Sequence, residues 1–193
     1  MMEIPDSAMI QQLKAKNETA FKMLVEKYKE MVVRVSNGFV HNANDANDIA
    51  QEVFIEVYRS VANFRENARI ATWLYRITVN KSLNFIRDNK RNKLFRSIES
   101  FFADEQYPES ITDNSYTDSS MERNQRTTMI DRAISSLPKN QRIAFILNKY
   151  DDLSYSDVAE VMNVSLSSVE SLIHRAKLNL QKKLMDCYKK NEC

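Results

Sequence analysis

Glycine occurs only once in this chain of 193 residues, at Gly38. Average usage of about 7% would give roughly a dozen glycines in a chain of this length. Tight β-hairpin turns depend on glycine at positive φ, and phosphate-binding loops and dinucleotide fingerprints need several glycines. Hydrophobic residues make up 43% of the chain, which is enough to build a core. The sequence therefore predicts an all-α protein.

Signals for a membrane segment, a secretory leader or a metal site are weak. The longest useful apolar run, residues 143–147, is far shorter than the roughly 20 residues of a membrane helix. The acidic N-terminal segment lacks the basic start of a secretory signal. Both cysteines, Cys187 and Cys193, lie near the C-terminus, and no Cys/His pair has metal-ligand spacing. We expect a cytoplasmic protein without membrane insertion, cofactor or metal.

Charge divides the chain into three segments. Residues 1–96 and 126–193 are net basic, whereas residues 97–125 hold seven acidic residues against one basic residue, Arg123. The acidic segment also contains Pro108 and a cluster of serines and threonines. Such a composition is typical of a linker. We therefore predict a flexible acidic linker at 97–125 between two small helical domains, 1–96 and 126–193.

Hydrophobic periodicity predicts four helices in each basic segment. In the first segment they cover residues 7–16, 18–38, 45–62 and 72–93, and Asn17 is a suitable N-cap. In the second they cover residues 121–136, 139–150, 155–162 and 166–186, with Ser154 and Ser165 as caps of the last two.

Residues 155–177 have the spacing of a helix-turn-helix. Ala159 is small where two helices would cross, and Asn163 lies at the turn, where left-handed geometry is needed. The second helix has one apolar face, and its opposite face carries hydroxyls, a carboxylate and basic groups, which suits the major groove of DNA. The alternative is an ordinary amphipathic helix pair whose polar face is solvated. The candidate DNA-reading residues are Ser165, Ser167, Ser168, Glu170, Ser171, His174, Arg175 and Lys177.

The predicted helix 72–93 carries a polar stripe that begins at Trp73. The stripe residues recur at spacings of three and four and fall on one side of the helix: Arg76, Asn80, Asn84, Arg87 and Arg91. Arginines can neutralise phosphates, asparagines can read base edges, and a tryptophan can stack on an unpaired base. The alternative is a solvated charged face.

Three motifs together resemble the extracytoplasmic-function sigma factors of bacterial RNA polymerase. They are DANDIAQEVF at 45–54, TWLYRITVN at 72–80 after Phe64 and Arg65, and the helix-turn-helix from LSYSDVAE at 153–160 to Arg175-Ala176-Lys177. The resemblance covers nearly the whole chain, in the order of that family. It implies a sigma2-like bundle and a sigma4-like helix-turn-helix domain.

The resemblance also implies a function, partners and site residues. The protein would bind core RNA polymerase at its clamp coiled coil and flap, direct promoter-specific initiation, melt the minus-ten element and read the minus-thirty-five element. A cognate anti-sigma factor is implied as well. Clamp binding would fall to Asp45, Asp48, Ile49, Gln51 and Glu52. Minus-ten binding would fall to Phe64, Arg65, Asn67, Ala68, Trp73, Arg76, Asn80, Lys81, Asn84, Arg87 and Arg91.

Two other function classes compete with this hypothesis. A stand-alone repressor with a ligand-sensing N-terminal block would bind an operator without polymerase, usually as a dimer. A small helical enzyme would need a nucleophile–base pair or a metal cluster, neither of which the sequence indicates. Within the family pattern, Glu170 and Leu172 stand where many members have Lys or Arg, which predicts a divergent minus-thirty-five sequence.

Overall fold

A computed structural model describes residues 6–64, 69–103 and 118–190; for residues 93–103, 118–125, 188 and 190 it describes the backbone alone. These ranges contain eight α-helices, a short 3-10 turn and no strand, so the all-α prediction is confirmed. The N-terminal bundle consists of α1 (Asp6–Lys14), α2 (Glu18–Val40), α3 (Ala43–Ser60), the turn Val61–Asn63 and α4 (Ile70–Ala103). The C-terminal bundle consists of α5 (Asp118–Ser135), α6 (Lys139–Tyr150), α7 (Tyr155–Met162) and α8 (Leu166–Lys190).

Side-chain caps begin several of these helices where the sequence predicts them. The Asn17 side chain accepts a hydrogen bond from the Ala20 N–H at 3.0 Å and starts α2. The Ser154 hydroxyl accepts one from the Asp157 N–H at 3.1 Å and starts α7. At the other end of α7, Asn163 adopts the left-handed conformation with φ 55°. The two side-chain caps and the backbone N–H of Asn163, which donates to the carbonyls of α7, satisfy groups that a helix end would leave unpaired.

Both ends of the predicted linker are helical. Helix α4 runs on to Ala103 instead of ending near residue 93, and α5 begins at Asp118. Neither helical extension contains proline or glycine, and acidic side chains by themselves do not stop a helix. Residues 104–117, which include Pro108, lie outside the described residues. The boundaries of the two domains therefore stay a prediction.

Each bundle buries the apolar faces of its own helices. In the N-terminal bundle α2, α3 and α4 pack on one another, and their fully buried side chains include Leu24, Phe39, Ile49, Val53 and Leu74. In the C-terminal bundle α8 packs on α5, α6 and α7, and the buried side chains include Ile146, Leu147, Val158, Val169 and Ile173.

The two bundles also pack against each other, and Gly38 of α2 lies close to α6 of the C-terminal bundle. A Cβ at Gly38 would come within 2.9 Å of Cγ2 of Ile146 and 3.3 Å of the Tyr150 ring. Glycine within a helix costs about 0.5–1 kcal/mol relative to alanine, so a packing reason for it is informative. Helix α2 continues past Gly38 to Val40, and His41 takes the left-handed C-cap position with φ 54°. The single glycine therefore allows α2 and α6 to approach closely and does not end a helix.

Candidate nucleic-acid interface

The exposed face of α8 is mostly polar along its first three turns, apart from Leu166 at its start, which is 49% exposed. Val169, Ile173 and Ala176 are buried against the C-terminal bundle. The side chains predicted to read DNA are all exposed: Ser165, Ser167, Ser168, Glu170, Ser171, His174, Arg175 and Lys177. The Arg175 Nε donates to the Ser171 carbonyl at 3.2 Å, which keeps its guanidinium along the helix. The structure thus brings these side chains together on one surface.

Two of the predicted readers also build the start of α8. The Ser165 hydroxyl accepts a hydrogen bond from the Ser168 N–H at 3.2 Å and lies 2.8 Å from the Ser168 hydroxyl. This is the geometry of an N-cap. The N-terminus of α8 also carries the positive end of the helix dipole, which favours an anionic phosphate.

At the start of α4, an aromatic pair stands beside the polar stripe. The ring centroids of Phe64 and Trp73 are 4.8 Å apart with the planes tilted by 59°. Phe64 is buried, whereas Trp73 is half-buried. Arg65, Asn67 and Ala68, also predicted to bind DNA, lie outside the described residues. The pair provides a rigid ring surface at the end of the stripe.

The polar stripe of α4 is exposed along most of its length. Asn80, Asn84, Arg87 and Arg91 face solvent, and the Arg87 Nε lies 3.2 Å from the Asp88 carboxylate. Lys81 lies off the stripe, because its ammonium group is 3.4 Å from the Glu56 carboxylate of α3 and 3.8 Å from that of Glu52. These contacts connect α4 with the acidic surface of α3.

Arg76 does not face solvent along with the rest of the stripe. Its guanidinium donates to two backbone carbonyls of α7, that of Glu160 at 2.6 Å and that of Val161 at 3.0 Å. Arg76 and Asn80 also line a cleft of about 490 Å³ between α4 and the C-terminal bundle. Lys139, Asn140 and Asn163 close the other side of this cleft. The sequence did not indicate any of these contacts.

The residues of α3 predicted to bind the clamp lie at the surface, except Ile49. Asp48, Gln51 and Glu52 are exposed, and Asp45 is half-buried. Ile49 is only 1% exposed and packs in the core, so the prediction that it faces a partner is wrong. The physical reason is the helical period, which places Ile49 on the inner face together with Ala46 and Val53.

Ile55 is a surface residue that the sequence reasoning missed. Its side chain is 50% exposed. It follows Gln51 by four residues and Glu52 by three, so it lies on the same helical face as the two predicted contacts. This spacing was the signal that could have found it.

A cluster of polar contacts joins the start of α4 to α7. Arg69 pairs with Asp157 at 2.9 Å and with Glu160, and the Thr72 hydroxyl donates to Glu160 at 2.9 Å. Hydrogen bonds from Ser154 and Arg69 lower the pKa of Asp157, and those from Arg69 and Thr72 lower the pKa of Glu160. Both carboxylates are therefore ionised at neutral pH.

A second group of contacts lies nearby, around Asp151. Its carboxylate pairs with Arg34 of α2 and accepts a hydrogen bond from the Tyr75 hydroxyl of α4. Burial and the negative charge of Asp151 raise the pKa of Tyr75, so the phenol keeps its proton and remains a donor. Arg142 of α6 donates to the Phe39 carbonyl at the end of α2.

His41 forms a further link between the bundles, to Asp131 of α5. Its Nδ1 lies 2.9 Å from the Asp131 carboxylate, and its Nε2 is buried without a hydrogen-bond partner. Burial lowers the pKa of His41, and this effect together with the positive charge of Arg142 outweighs the attraction of Asp131. The imidazole is therefore neutral at pH 7, with its Nδ1–H facing the carboxylate.

Neither a metal site nor a membrane span emerges from the part of the chain that the structure describes. No group of three or more His, Cys, Asp or Glu side chains is placed there to hold a metal ion. None of its helices is both long and apolar enough to cross a membrane.

Two family models match segments of this chain, one within each bundle. The profile of Sigma-70 region 2 matches residues 24–92, and that of Sigma-70, region 4 matches residues 127–180. The RNA polymerase sigma-H factor of Pseudomonas aeruginosa is 32% identical over 184 residues, covering 93% of each chain. The ECF RNA polymerase sigma factor SigW of Bacillus subtilis is 29% identical and covers 96% of this chain and 100% of its own.

Solved structures share the fold. CnrH, in complex with the cytosolic domain of CnrY, is similar with a TM-score of 0.66 at 20% identity, over 94% of this chain and 97% of its own. The sigma factor RpoE of Bartonella quintana, in complex with the anti-sigma factor NepR, has a TM-score of 0.57 at 21% identity, over 86% and 96%. With both family regions matched in order and relatives matched over almost their full length, this chain belongs to the extracytoplasmic-function sigma factors of the sigma-70 family, which direct promoter-specific initiation by RNA polymerase.

Proposed function

We propose that this sigma factor uses three separate surfaces to bind core polymerase and the two promoter elements. Helix α3 binds the clamp coiled coil of core RNA polymerase with Asp45, Asp48, Gln51 and Glu52. The polar stripe of α4, with Phe64 and Trp73, opens and holds the minus-ten element. The polar face of α8 reads the minus-thirty-five element. The polymerase forms the phosphodiester bonds, and the factor itself has no catalytic role.

The polar face of α8 is the single observation that carries this proposal. Side chains with hydrogen-bonding and basic groups are exposed on one side of the helix, while Val169, Ile173 and Ala176 anchor the other side. An α-helix fits the major groove, where hydroxyl, carboxylate and basic groups can meet base edges and phosphates. The left-handed Asn163 turn and the short α7 before it complete a helix-turn-helix.

For α3, the exposed chemistry suits a basic protein partner. Carboxylates pair with arginines in strong, charge-assisted hydrogen bonds. Ile55 adds apolar area beside Gln51 and Glu52, and buried apolar anchors surrounded by polar groups are typical of binding hot spots. Ile49 supports this face from inside the core.

For α4, the combination of rings, amides and arginines suits single-stranded DNA. Unstacking a base costs a few kcal/mol, so a binding site must compensate with stacking and phosphate contacts. The half-buried Trp73 lies against Phe64, and exposed Asn80, Asn84 and Arg87 continue the surface along the helix.

Glu52→Lys tests the α3 assignment. Charge reversal should weaken binding of the chain to core polymerase at least tenfold, because truncating or reversing a partner in a close charge pair costs about 2–5 kcal/mol. Glu26→Lys is the matched control, since Glu26 is exposed on α2 and gives the same change in net charge. Fluorescence anisotropy of labelled chain against core polymerase measures both. Equal affinity for the two variants would contradict the assignment.

The remaining partners and the location complete the proposal. The C-terminal bundle binds the flap of the polymerase, and the protein works in the cytoplasm with that enzyme. The bundles act as domains 1–96 and 126–193, joined by the acidic segment 97–125. An anti-sigma factor regulates the chain; the two similar structures, CnrH with CnrY and RpoE with NepR, support this.

A further inference from the structure

One apolar side chain lies exposed among the polar residues at the start of α8. Leu166 is the first residue of this helix, and it is 49% exposed. It stands between Ser165 and Ser167, two of the residues predicted to read DNA. Single apolar residues are common on protein surfaces, so exposure alone indicates no function. The position does, because the first residues of the second helix in a helix-turn-helix reach base edges in the major groove.

The serine hydroxyls around Leu166 are engaged with one another. The Ser165 hydroxyl accepts a hydrogen bond from the Ser168 N–H at 3.2 Å, and it lies 2.8 Å from the Ser168 hydroxyl and 3.1 Å from that of Ser167. These contacts fix the backbone at the start of the helix, and they use hydrogen-bonding capacity that the serines would otherwise offer to bases. The exposed part of Leu166 is therefore contact area held in place at the reading end of α8.

The next turn on the same side of the helix carries a carboxylate and no cation. Glu170 follows Leu166 by four residues and is exposed. Residues 166–174 contain neither lysine nor arginine, and Arg175 is the first strongly basic residue of α8. Phosphates repel a carboxylate, and an alkyl side chain offers them no hydrogen bond. This edge of α8 therefore suits base edges, while phosphate contacts belong to its third turn.

The major groove presents one apolar group, the C5-methyl of thymine. An exposed leucine that meets this methyl removes apolar surface of both partners from water, which favours binding. Val164 is the other exposed apolar residue near the turn, but it lines the cleft beside α4. Leu166 is thus the apolar side chain that is placed to meet a base.

We propose that Leu166 contacts the C5-methyl group of a thymine in the minus-thirty-five element and selects thymine at that position over the other bases. This inference rests on the proposed role of α8 in reading that element. The methyl contact adds to hydrogen bonds from neighbouring side chains, because thymine presents an O4 acceptor beside its methyl group in the same groove.

Uracil substitution tests the contact one methyl group at a time. Holoenzyme with the full-length chain first selects its preferred duplex from a promoter library randomised in the minus-thirty-five element. Each thymine of the selected element, on either strand, is then replaced singly by uracil, which removes the C5-methyl and keeps every hydrogen-bonding group. Fluorescence anisotropy of the labelled duplexes measures affinity. At one position we expect uracil to weaken wild-type binding about three- to fivefold, as one buried methyl group should.

Three variants assign that methyl to its partner. Leu166→Ala should bind the thymine and uracil duplexes equally at that position, because the alanine methyl is too short to reach; alanine also favours the helix, so α8 should still form. Leu166→Met keeps a long apolar side chain and should retain the preference for thymine. Met185→Ala is the matched control, since Met185 is 53% exposed about 28 Å further along α8 and should leave the uracil effect at its wild-type size.

Two results would overturn the role of Leu166. One is a selected element in which no thymine is sensitive to uracil. The other is a uracil effect of the same size in the wild type and in Leu166→Ala at every sensitive position. Failure of the α8 assignment itself shows differently: the library would then yield no preferred minus-thirty-five sequence, and Arg175→Ala would bind every duplex as tightly as the wild type.

Discussion

At the scale of single residues, the same kind of side chain serves different purposes at different positions in the structure. Arg175 on α8 lies exposed along its helix, whereas Arg76 on α4 is held by carbonyls of α7. Glu170 is exposed near the N-terminus of α8, while Glu160 on α7 binds Arg69 and Thr72. Position in the tertiary structure thus decides which charges remain available for DNA.

Glu170 and Arg175 should differ in the kind of DNA contact they make. A carboxylate is repelled by phosphates, but it can accept a hydrogen bond from cytosine N4 in the major groove. Glu170→Ala should therefore change preference at one base pair by about 1–3 kcal/mol. Arg175→Ala should weaken all promoters alike and reduce the salt slope by about one unit, as expected for a phosphate contact.

Holoenzyme binding to a minus-thirty-five library at several salt concentrations distinguishes the two effects. Asp186→Ala is the control, because Asp186 is exposed on the same helix four turns further on. A uniform loss for Glu170→Ala, with no base-specific change, would show that Glu170 only supports the start of the helix.

At the scale of elements, each helix combines a packing face with a face for a partner, and the two follow from its period. Helix α3 buries Ile49 and Val53 while it exposes Gln51 and Glu52. Helix α4 buries Leu74 and exposes Asn80. Since α4 contacts α2, α3 and α7, a change on its stripe can affect packing as well as DNA binding.

The α4 stripe should matter more for opening DNA than for recruiting polymerase. Trp73→Ala removes a ring that DNA bases could stack on, and Asn80→Ala removes an exposed amide beside the cleft. Both holoenzymes should bind promoter DNA within about threefold of the wild type. Opening should fall at least fivefold for Trp73→Ala, because a lost stacking contact costs about 1–3 kcal/mol per base, and it should also fall for Asn80→Ala, which loses a hydrogen-bonding group for an unpaired base. Permanganate reactivity of minus-ten thymines measures the open complex.

Asn89→Ala controls for a general effect on α4, because Asn89 is exposed on the same helix away from the stripe. Normal opening by both Trp73→Ala and Asn80→Ala would assign the stripe a structural role alone.

At the scale of the whole molecule, the bundles are joined by one apolar contact region and several polar ones. In the apolar region Gly38 lies against Ile146 and Tyr150. In the polar regions Asp151, Asp157 and Glu160 of the C-terminal bundle form ion pairs with arginines of the N-terminal bundle. His41 and Asp131 add a contact whose strength depends on pH.

The stability of the packed chain should therefore fall on acidification through His41. Burial lowers the pKa of His41 below its ordinary 6.5, so the folded chain favours the neutral imidazole. This contribution is complete above about pH 6.5 and is lost as the pH falls through the lowered pKa. Protonation would also leave a buried Nε2–H without an acceptor.

His41→Asn keeps a residue that tolerates the left-handed conformation and removes the titrating group. It should cost about 1 kcal/mol at pH 7.5 through the lost hydrogen bond. It should also lose less stability than the wild type between pH 7.5 and pH 5.5, as measured by urea unfolding. An equal loss in the two chains would exclude His41 as a source of the pH dependence.

What the sequence determined by itself is local. Glycine scarcity predicted the helical class, and caps such as Asn17 and Ser154 begin helices because their side chains reach backbone groups three residues away. The polar faces of α8 and α4 follow from the helical period in the same way. On α3 the period likewise accounts for the exposure of Asp48, Gln51 and Glu52. The period also predicts that Ile49 is buried and Ile55 is exposed, because both depend only on which side of α3 faces the core.

Only the tertiary structure decided how the two bundles meet. Arg76 and the carbonyl of Glu160 are 84 residues apart in sequence, and Arg34 and Asp151 are 117 apart. No periodicity connects such positions, because the pattern of a helix identifies its buried face but not the element that will cover it. The role of Gly38 could not be predicted for the same reason. The absence of a Cβ at Gly38 matters because Ile146 of another helix occupies the space that a Cβ would fill.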